Sequence, residues 1–545
     1  MKFTVRAAAL AALLFVVLFW QLGSASFWDP DEAIYAETSR EMLRTGDWLA
    51  PYYNEQPFFD KPILFYWLQA AGMAIAGQNE TGARLAPAIA AVALVATTAW
   101  LGTVLVSFEV GFVAAVLLAA SPPVFALAHY AILDMTFTAF LFGGVSLVAV
   151  AALRDRPHLQ WPGYVLIALS VLTKGPLALA LCGLTFLLAM AASAEVRRRL
   201  FALHVMAGAC VVIAVSMPWF VYMWLRFRSE FVAGYVLNEN VSLFASNRFN
   251  TRFDPLFYVR VLAAGMLPWT GLLVGRLWDD IRGYRTRSLD SFEILLWCWT
   301  IAVVAFFTAS RFKLDHYVFP AAPALCLISA RAWAAVRRRA ADTASKLGAH
   351  TIGPILVLAG TGGGYFMIAR LDLPNAAIIA PLVMLGAGIV VTARVSFGHA
   401  PLPEAPWITL TAMVATYAAV ITWVLPALEQ RKVIPDVGRW VHSEVAADAR
   451  VGTYRLNRWS NAFRFYVDRH VSHMDGAEQV RAFFDADGRA SVVMTSQFFD
   501  ELVGQGVPLQ IDYEREGMWV TSGRALWRRR EPPTRFVVVS RKISP

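Results

Sequence analysis

Apolar runs of roughly 17 to 25 residues recur along the first 426 residues, with short polar segments between them. Most are long enough to cross a hydrocarbon core of about 30 Å as single helices. Candidate spans cover residues 7–22, 83–104, 111–128, 132–152, 160–173, 176–193, 200–224, 257–276, 291–309, 316–333, 351–370, 375–394 and 406–426. The apolar run 62–77 is shorter and opens on Pro62, which fits a helix lying at the interface or re-entering it. Beyond residue 426 the pattern changes. Pro435–Val445 and Gly476–Ala486 have helical periodicity, whereas Ala490–Thr495, Pro508–Tyr513 and Phe536–Val539 have strand periodicity. The expected fold class is therefore mainly α: a polytopic membrane protein of about thirteen spans over residues 1–426 and a small α/β domain over 427–545. No internal repeat or long low-complexity linker is evident.

Composition supports this reading. Of 545 residues, 58% are hydrophobic and 16% charged, well under the ~25% charged residues of a soluble chain. The N-terminal run could belong to a signal peptide cleaved after Gly23-Ser24-Ala25-Ser26, but the spans that follow favour an uncleaved helix. The net charge of +9 does not indicate nucleic-acid binding. Its arginines cluster between apolar runs: Lys2 and Arg6; Arg154 and Arg156; Arg197–Arg199; Arg276, Arg282, Arg285 and Arg287; and Arg337–Arg339. With the spans counted as above, all five clusters fall on one side, which the positive-inside rule makes cytoplasmic. Loop 23–82, loop 225–256, the segment Ser310–Asp315 and the tail then lie on the opposite, outer side. The four cysteines (Cys182, Cys210, Cys298 and Cys326) lie in apolar runs, with no disulfide framework and no zinc spacing.

Candidate chemistry gathers on the outer side. Loop 23–61 holds eight acidic and three basic residues. Part of this is an ordinary helix, Ala33–Thr45, whose polar face would pair Glu37 and Glu41 with Arg40 and Arg44. Asp29, Asp31 and Glu32 flank Pro30 just after the first span. Carboxylates there either serve structure or bind a cation, accept a proton or hold sugar hydroxyls. Lys61 either snorkels to lipid headgroups or binds phosphate. Lys174, in Leu172-Thr173-Lys174-Gly175-Pro176, and Arg311 with Lys313 oppose the charge bias of the chain, as Lys61 does. Arg311 and Lys313 could simply form a solvated loop with Asp315; together with the two lysines they suggest an outer anion. Asp134 starts a span and is either a helix-terminal carboxylate or a cavity group. Asn238-Glu239-Asn240 and Asn247-Arg248-Phe249-Asn250 add polar groups to the second outer loop. Asn79-Glu80-Thr81 fits a glycosylation pattern that nothing else supports.

These residues carry a resemblance. Pro30-Asp31-Glu32 with Tyr35-Ala36-Glu37, Arg40-Glu41-Met42-Leu43 with Gly46-Asp47-Trp48, Asp60-Lys61-Pro62 with Tyr66-Trp67-Leu68, Arg84-Leu85-Ala86-Pro87, Leu133-Asp134, Leu172–Pro176, and Lys313-Leu314 with Tyr317 and Pro320 occur in this order. Over residues 27–330 the set resembles the bacterial aminoarabinose-transferase type of membrane glycosyltransferase, within the protein O-mannosyltransferase-like group of GT-C enzymes; the C-terminal part is similar only in layout. The resemblance implies about thirteen spans, interfacial helices in the first periplasmic loop and a periplasmic C-terminal domain. It implies inverting transfer of a sugar from a polyprenyl-phosphate carrier to lipid A or another envelope acceptor. It puts Asp31 in the place of the key acid, with Glu32 beside it and Asp134 as a cavity carboxylate. Lys61, Lys174, Arg311, Lys313 and Tyr317 fall near the carrier phosphate. Asp29, Tyr35, Asp60, Glu239 and Asn240 fall in the substrate cavity.

The chain departs from that pattern at four places. Asp60 stands for a Glu, Glu239-Asn240 for a Glu-His pair, Leu243 for an arginine and Asp315 for a proline. The Glu-His pair helps hold a metal in the enzymes resembled, so the change to Asn240 argues against a divalent metal here, and no cofactor is assigned. The partners expected are the lipid-linked donor, the acceptor and membrane lipids; a monomer is expected. A protein O-glycosyltransferase of the same fold is the nearest alternative. A lipid-linked-sugar flippase would show repeats and interrupted helices in matching halves. A non-catalytic scaffold would leave Asp31, Lys61 and Lys174 without a purpose.

Overall fold

A computed structural model describes residues 2–242, 245, 254–286, 289–369, 375–398, 404–456, 461–518 and 533–542. Asn247–Asn250 and Leu243 lie outside the described residues. Helices occupy every expected apolar run. Among the described residues eight are long and apolar enough to cross a membrane, or up to ten if each of two bent pairs is one span. The expected count of about thirteen is not reached by this measure, because several helices are short. Leu177–Ala192 has 16 residues and Gln160–Lys174 has 15, a rise of about 24 Å or less against a core of about 30 Å.

Two expected straight spans are bent. Residues 111–128 form Phe108–Ala119 and Pro122–Ala128, inclined by 61°. The break falls at Pro122-Pro123, where proline removes the backbone donor a continuous helix needs. Residues 257–276 form Phe257–Gly265 and Thr270–Arg285, inclined by 120° around Leu267-Pro268. The 200–224 run extends instead of ending: Val205–Phe231 kinks at Arg228 (φ 49°) and continues as a π-helix, Val232–Ser242. Glu239 and Asn240, expected in a loop, ride on that π-helical turn, a geometry common at functional sites.

The first outer segment is ordered throughout. The Asp31–Thr45 helix ends on Gly46, whose φ of 72° is the left-handed C-cap conformation that glycine adopts without strain. A hairpin, Tyr52–Tyr53 with Gln56–Pro57, leads to Asp60-Lys61, and the 62–77 run forms a short helix, Leu64–Ala76. The polar face of the Asp31–Thr45 helix is not solvated as expected. Glu37, Arg40 and Glu41 are buried, because residues 461–468 of the C-terminal part cover them. Arg464 lies 3.2 Å from both Glu37 and Glu41, and Asp468 lies 3.0 Å from Arg40.

Among the described residues the C-terminal part is built on a five-stranded sheet, in the order Val471–Met474, Arg450–Tyr454, Ala490–Thr495, Thr534–Arg541 and Leu509–Gly517. The first three strands run parallel, and the last two pair antiparallel. Val492, Val493 and Phe536–Val539 are fully buried between the sheet and its helices. The expected strands and helices appear within a few residues of their places. The strands at 450 and 471 and the helices Asn461–Val467 and Ser496–Gly504 carry too short a pattern to be read from sequence.

Candidate active site

Two ion pairs meet around Asp31. The Lys61 Nζ donates to Asp60 Oδ1 at 2.6 Å and to Glu239 Oε2 at 3.3 Å. Asp60 Oδ2 accepts from the Tyr35 hydroxyl at 3.0 Å. Aromatic packing brings Glu239 to Lys61: Phe59 stacks edge-on to Phe227 and Phe231 at 5.1 and 5.8 Å. The second pair joins Lys174 to Asp134. The Lys174 ammonium also sits over the Tyr317 ring, 4.6 Å from its centroid. Gly175, which ends the Lys174 helix with φ 77°, lies directly against the Tyr235 hydroxyl on the π-helical turn; a side chain there would collide with it. Only glycine allows both the backbone conformation and that close approach.

Asp31 opens its helix and is half-buried. Burial and then the neighbouring Asp60 carboxylate push its pKa up to about 6, with Asp134 adding to the rise and Lys61 and Lys174 opposing it. Burial alone would also raise Asp60, but the Lys61 ammonium and its hydrogen bonds hold that carboxyl below its ordinary value. Burial disfavours the Lys61 charge, yet Asp60 and Glu239 keep its pKa well above the usual lysine range. A poised carboxylate thus faces two ammonium groups, each neutralised by its own acid. The Tyr66 hydroxyl, buried beside Asp60 and Glu239, has no hydrogen-bond partner among the described residues.

Glu32 is adjacent in sequence but takes a different place. Its side chain is fully buried and accepts from Arg84 Nε at 2.6 Å, Arg84 Nη2 at 3.0 Å, and the backbone N–H groups of Trp28 and Ala131, both at 2.9 Å. Expected as a catalytic acid, it is instead a closed structural anchor, because these donors already occupy both oxygens. Lys313, expected at the carrier phosphate, also has another task. Its ammonium donates to the carbonyls of Phe307, Thr308 and Ser310 at 3.3, 2.8 and 3.0 Å and so closes the end of the Ser291–Ala309 helix. Arg311 is exposed nearby. Asp29, expected in the substrate cavity, accepts at 2.7 Å from the Ala462 backbone N–H. It also lines a cavity of about 560 Å³, together with Trp28, Arg84, His129, Tyr130 and His316.

Sequence reasoning passed over His316, which holds Nε2 3.7 Å from Asp134 Oδ2 and forms part of the cavity wall. Its signal was an imidazole at the start of a span, between Asp315 and Tyr317. The sequence pattern assigns Arg84 no role. An arginine four residues into a long apolar helix needs a buried partner, and Glu32 supplies it.

The metal site of the enzymes resembled has no counterpart in donors. Glu239 faces an ammonium, and the Asn240 amide donates to the Tyr235 carbonyl at 2.7 Å. Among the described residues no three His, Cys, Asp or Glu side chains gather to hold an ion. These residues do not fit a metal.

Known proteins are similar to this chain in sequence and in fold. Residues 60–222 match the family model for dolichyl-phosphate-mannose-protein mannosyltransferase. The undecaprenyl phosphate-alpha-4-amino-4-deoxy-L-arabinose arabinosyl transferase 1 of Sodalis glossinidius is 29% identical over 329 residues, which is 59% of this chain and 58% of that one. The corresponding transferase of Erwinia tasmaniensis is 29% identical over 339 residues, 61% of this chain and 60% of its own length. The match therefore spans less than two thirds of these relatives. The crystal structure of ArnT from Cupriavidus metallidurans bound to undecaprenyl phosphate superposes with a TM-score of 0.78 over 99% of both chains, at 20% identity. The chain is similar to these transferases in sequence over part of its length and shares the fold of the ArnT structure. The many apolar helices and small C-terminal sheet are the architecture expected from the hydropathy pattern. The likeness of fold extends to the Archaeoglobus fulgidus oligosaccharyltransferase in its apo form, with a TM-score of 0.52 at 12% identity over 90% of this chain and 70% of that one.

Proposed function

We propose that this chain is an inverting membrane glycosyltransferase that moves a sugar from a polyprenyl-phosphate carrier to lipid A or another envelope acceptor. In this reading residues 1–426 are the catalytic membrane part, residues 427–545 are a periplasmic domain, and the reaction faces the periplasm of the bacterial inner membrane. The observation that carries it is the convergence of the half-buried Asp31 with the ammonium groups of Lys61 and Lys174. The matching relatives, whose names include undecaprenyl phosphate and a sugar, give the substrate class.

The acceptor oxygen attacks the anomeric carbon from the face opposite the carrier. As that bond forms, the bond from the anomeric carbon to the phosphate oxygen breaks, and the phosphate leaves with the electron pair. Negative charge grows on the leaving group beside Lys61 and Lys174, and preorganised cations stabilise such charge more in the transition state than before it. Tyr317 holds the Lys174 ammonium over its ring, and Tyr35, Asp60 and Glu239 keep Lys61 charged and aimed. A hydroxyl acceptor passes its proton to Asp31, whose pKa of about 6 suits a general base near neutral pH. An acceptor that is already an anionic phosphate has no proton to give; Asp31 then balances positive charge on the sugar ring. Tyr66 can donate a hydrogen bond to a sugar or phosphate oxygen.

The deciding measurement is mass spectrometry of lipid A and surface glycans from cells with and without the gene. A sugar lost from lipid A supports the reading. A sugar lost only from protein favours the protein O-glycosyltransferase alternative, toward which the mannosyltransferase family match leans. Unchanged glycans remove the reading.

A further inference from the structure

Four consecutive residues, Ser26 to Asp29, just before the Asp31–Thr45 helix are each tied to the part of the chain after the last expected span. The Ser26 backbone N–H donates to Glu429 Oε2 at 3.2 Å, and its carbonyl and hydroxyl both accept from Lys432 Nζ at 3.0 Å. The Phe27 N–H donates to the Tyr466 hydroxyl at 2.9 Å, and its ring packs edge-on against Phe465 at 4.7 Å. The Trp28 indole lies under the Lys432 ammonium, 3.9 Å from ring centroid to nitrogen. Asp29 accepts from the Ala462 N–H at 2.7 Å. On the other side of Asp31, Glu32 is locked to Arg84 and Ala131 of the membrane part. Arg84 also donates to the Ser26 carbonyl at 3.4 Å, so both parts of the molecule hold the segment before Asp31, and the membrane part holds the residue after it.

Lys432 is buried, with 4% of its surface exposed. Burying an ammonium is costly unless its donors are used. Here all the named partners but Glu429 lie at Ser26 and Trp28. A lysine that served only to anchor the C-terminal sheet would have no reason to reach that segment. The effort is placed within five residues of the reacting carboxylate, where a displacement of about 1 Å costs about a hundredfold in rate.

We propose that Lys432, Asp29 and the Ala462 backbone are positioning groups: the C-terminal part clamps residues 26–29 and thereby sets where the Asp31 carboxylate stands. This rests on the reading of Asp31 under Proposed function. The C-terminal part is then a component of the catalytic unit, not an appended module. Asp29 serves as a hydrogen-bond acceptor and not as an acid, so Asn can replace it.

The test uses the full chain in nanodiscs, as Asp29→Ala, Asp29→Asn, Lys432→Met and wild type. Hydrogen exchange across residues 30–37 reads the clamp without reference to activity. Asp29→Ala and Lys432→Met should speed exchange there by about tenfold while the remaining helices keep wild-type protection. Asp29→Asn should exchange like wild type, which separates loss of the clamp from general misfolding. Transfer is then measured with undecaprenyl phosphate-4-amino-4-deoxy-L-arabinose and lipid A. Asp29→Ala and Lys432→Met should lose about 10- to 100-fold in kcat with donor KM unchanged, and Asp29→Asn should recover most of the rate. Unchanged exchange at 30–37 in Asp29→Ala and Lys432→Met overturns the inference. So does loosened exchange with a wild-type kcat, or an Asp29→Asn as impaired as the alanine variant. A wild-type protein that transfers no sugar while the exchange pattern holds removes transfer of this sugar to lipid A and leaves the clamp supported.

Discussion

Asp31 and Glu32 are neighbours in sequence with opposite fates. Glu32 is closed by four donors, whereas Asp31 is pushed toward neutrality by burial and Asp60. Asp31→Asn should therefore insert normally and lose nearly all transfer, checked by glycan mass spectrometry against membrane-fraction protein level. For a hydroxyl acceptor the base form of Asp31 is needed. Its fraction falls as pH drops through about 6, so kcat/KM should show an acid limb near that value. A pH-independent profile from pH 5 to 8 would point to a phosphate acceptor. Replacing Lys61 by Met should weaken donor use by roughly 10- to 100-fold, because a charge-assisted phosphate contact contributes about 1.5–3 kcal/mol. Lys61→Arg should restore only part of it, since a planar fork does not reproduce a point charge. Transfer rate against donor concentration reads both.

At the scale of elements, the site depends on where helices break. The kink at Arg228 and the π-helical turn after it carry Glu239 to Lys61, and the end of the Lys174 helix at Gly175 lets the turn approach. The Arg84–Glu32 ion pair and the Lys313 contacts at a helix end hold elements around the site. Arg84→Met leaves the Glu32 carboxylate buried without its partner. Breaking a buried pair in this way costs about 3–5 kcal/mol, so the variant should be clearly less stable in detergent unfolding. Lys313→Met tests the helix-end reading against the phosphate reading. It should lower stability by about 1.5–3 kcal/mol and leave the donor concentration dependence at its wild-type value.

Across the whole molecule, the arrangement of charge and the contact between the two parts set the expectations. The arginine clusters place themselves on one side of the expected spans, so an alkaline phosphatase joined after Pro545 should be active, and a cytoplasmic reporter at the same point silent. The reverse pattern would overturn the span count. The outer helix Asp31–Thr45 lies between the membrane part and the sheet domain, with Glu37, Arg40 and Glu41 buried against Arg464 and Asp468. This contact makes the tail structurally inseparable from the loop that carries Asp31.

Hydropathy alone determined the membrane class, the approximate places of the helices and the change to an α/β tail, because burial in lipid demands long apolar runs and a sheet demands alternation. Order and residue type alone brought Asp31, Lys61, Asp134 and Lys174 forward, since ionisable groups at a membrane edge are costly and few. Tertiary structure decided which of them share a site. Glu32 and Lys313 look as reactive in sequence as Asp31 and Lys61, yet Arg84 closes one and three helix-end carbonyls occupy the other. Nothing local to residue 239 or 432 says that one reaches Lys61, 178 residues away in sequence, and the other reaches Ser26, 406 residues away. Such contacts come from packing between distant segments, to which the period of a local pattern is blind.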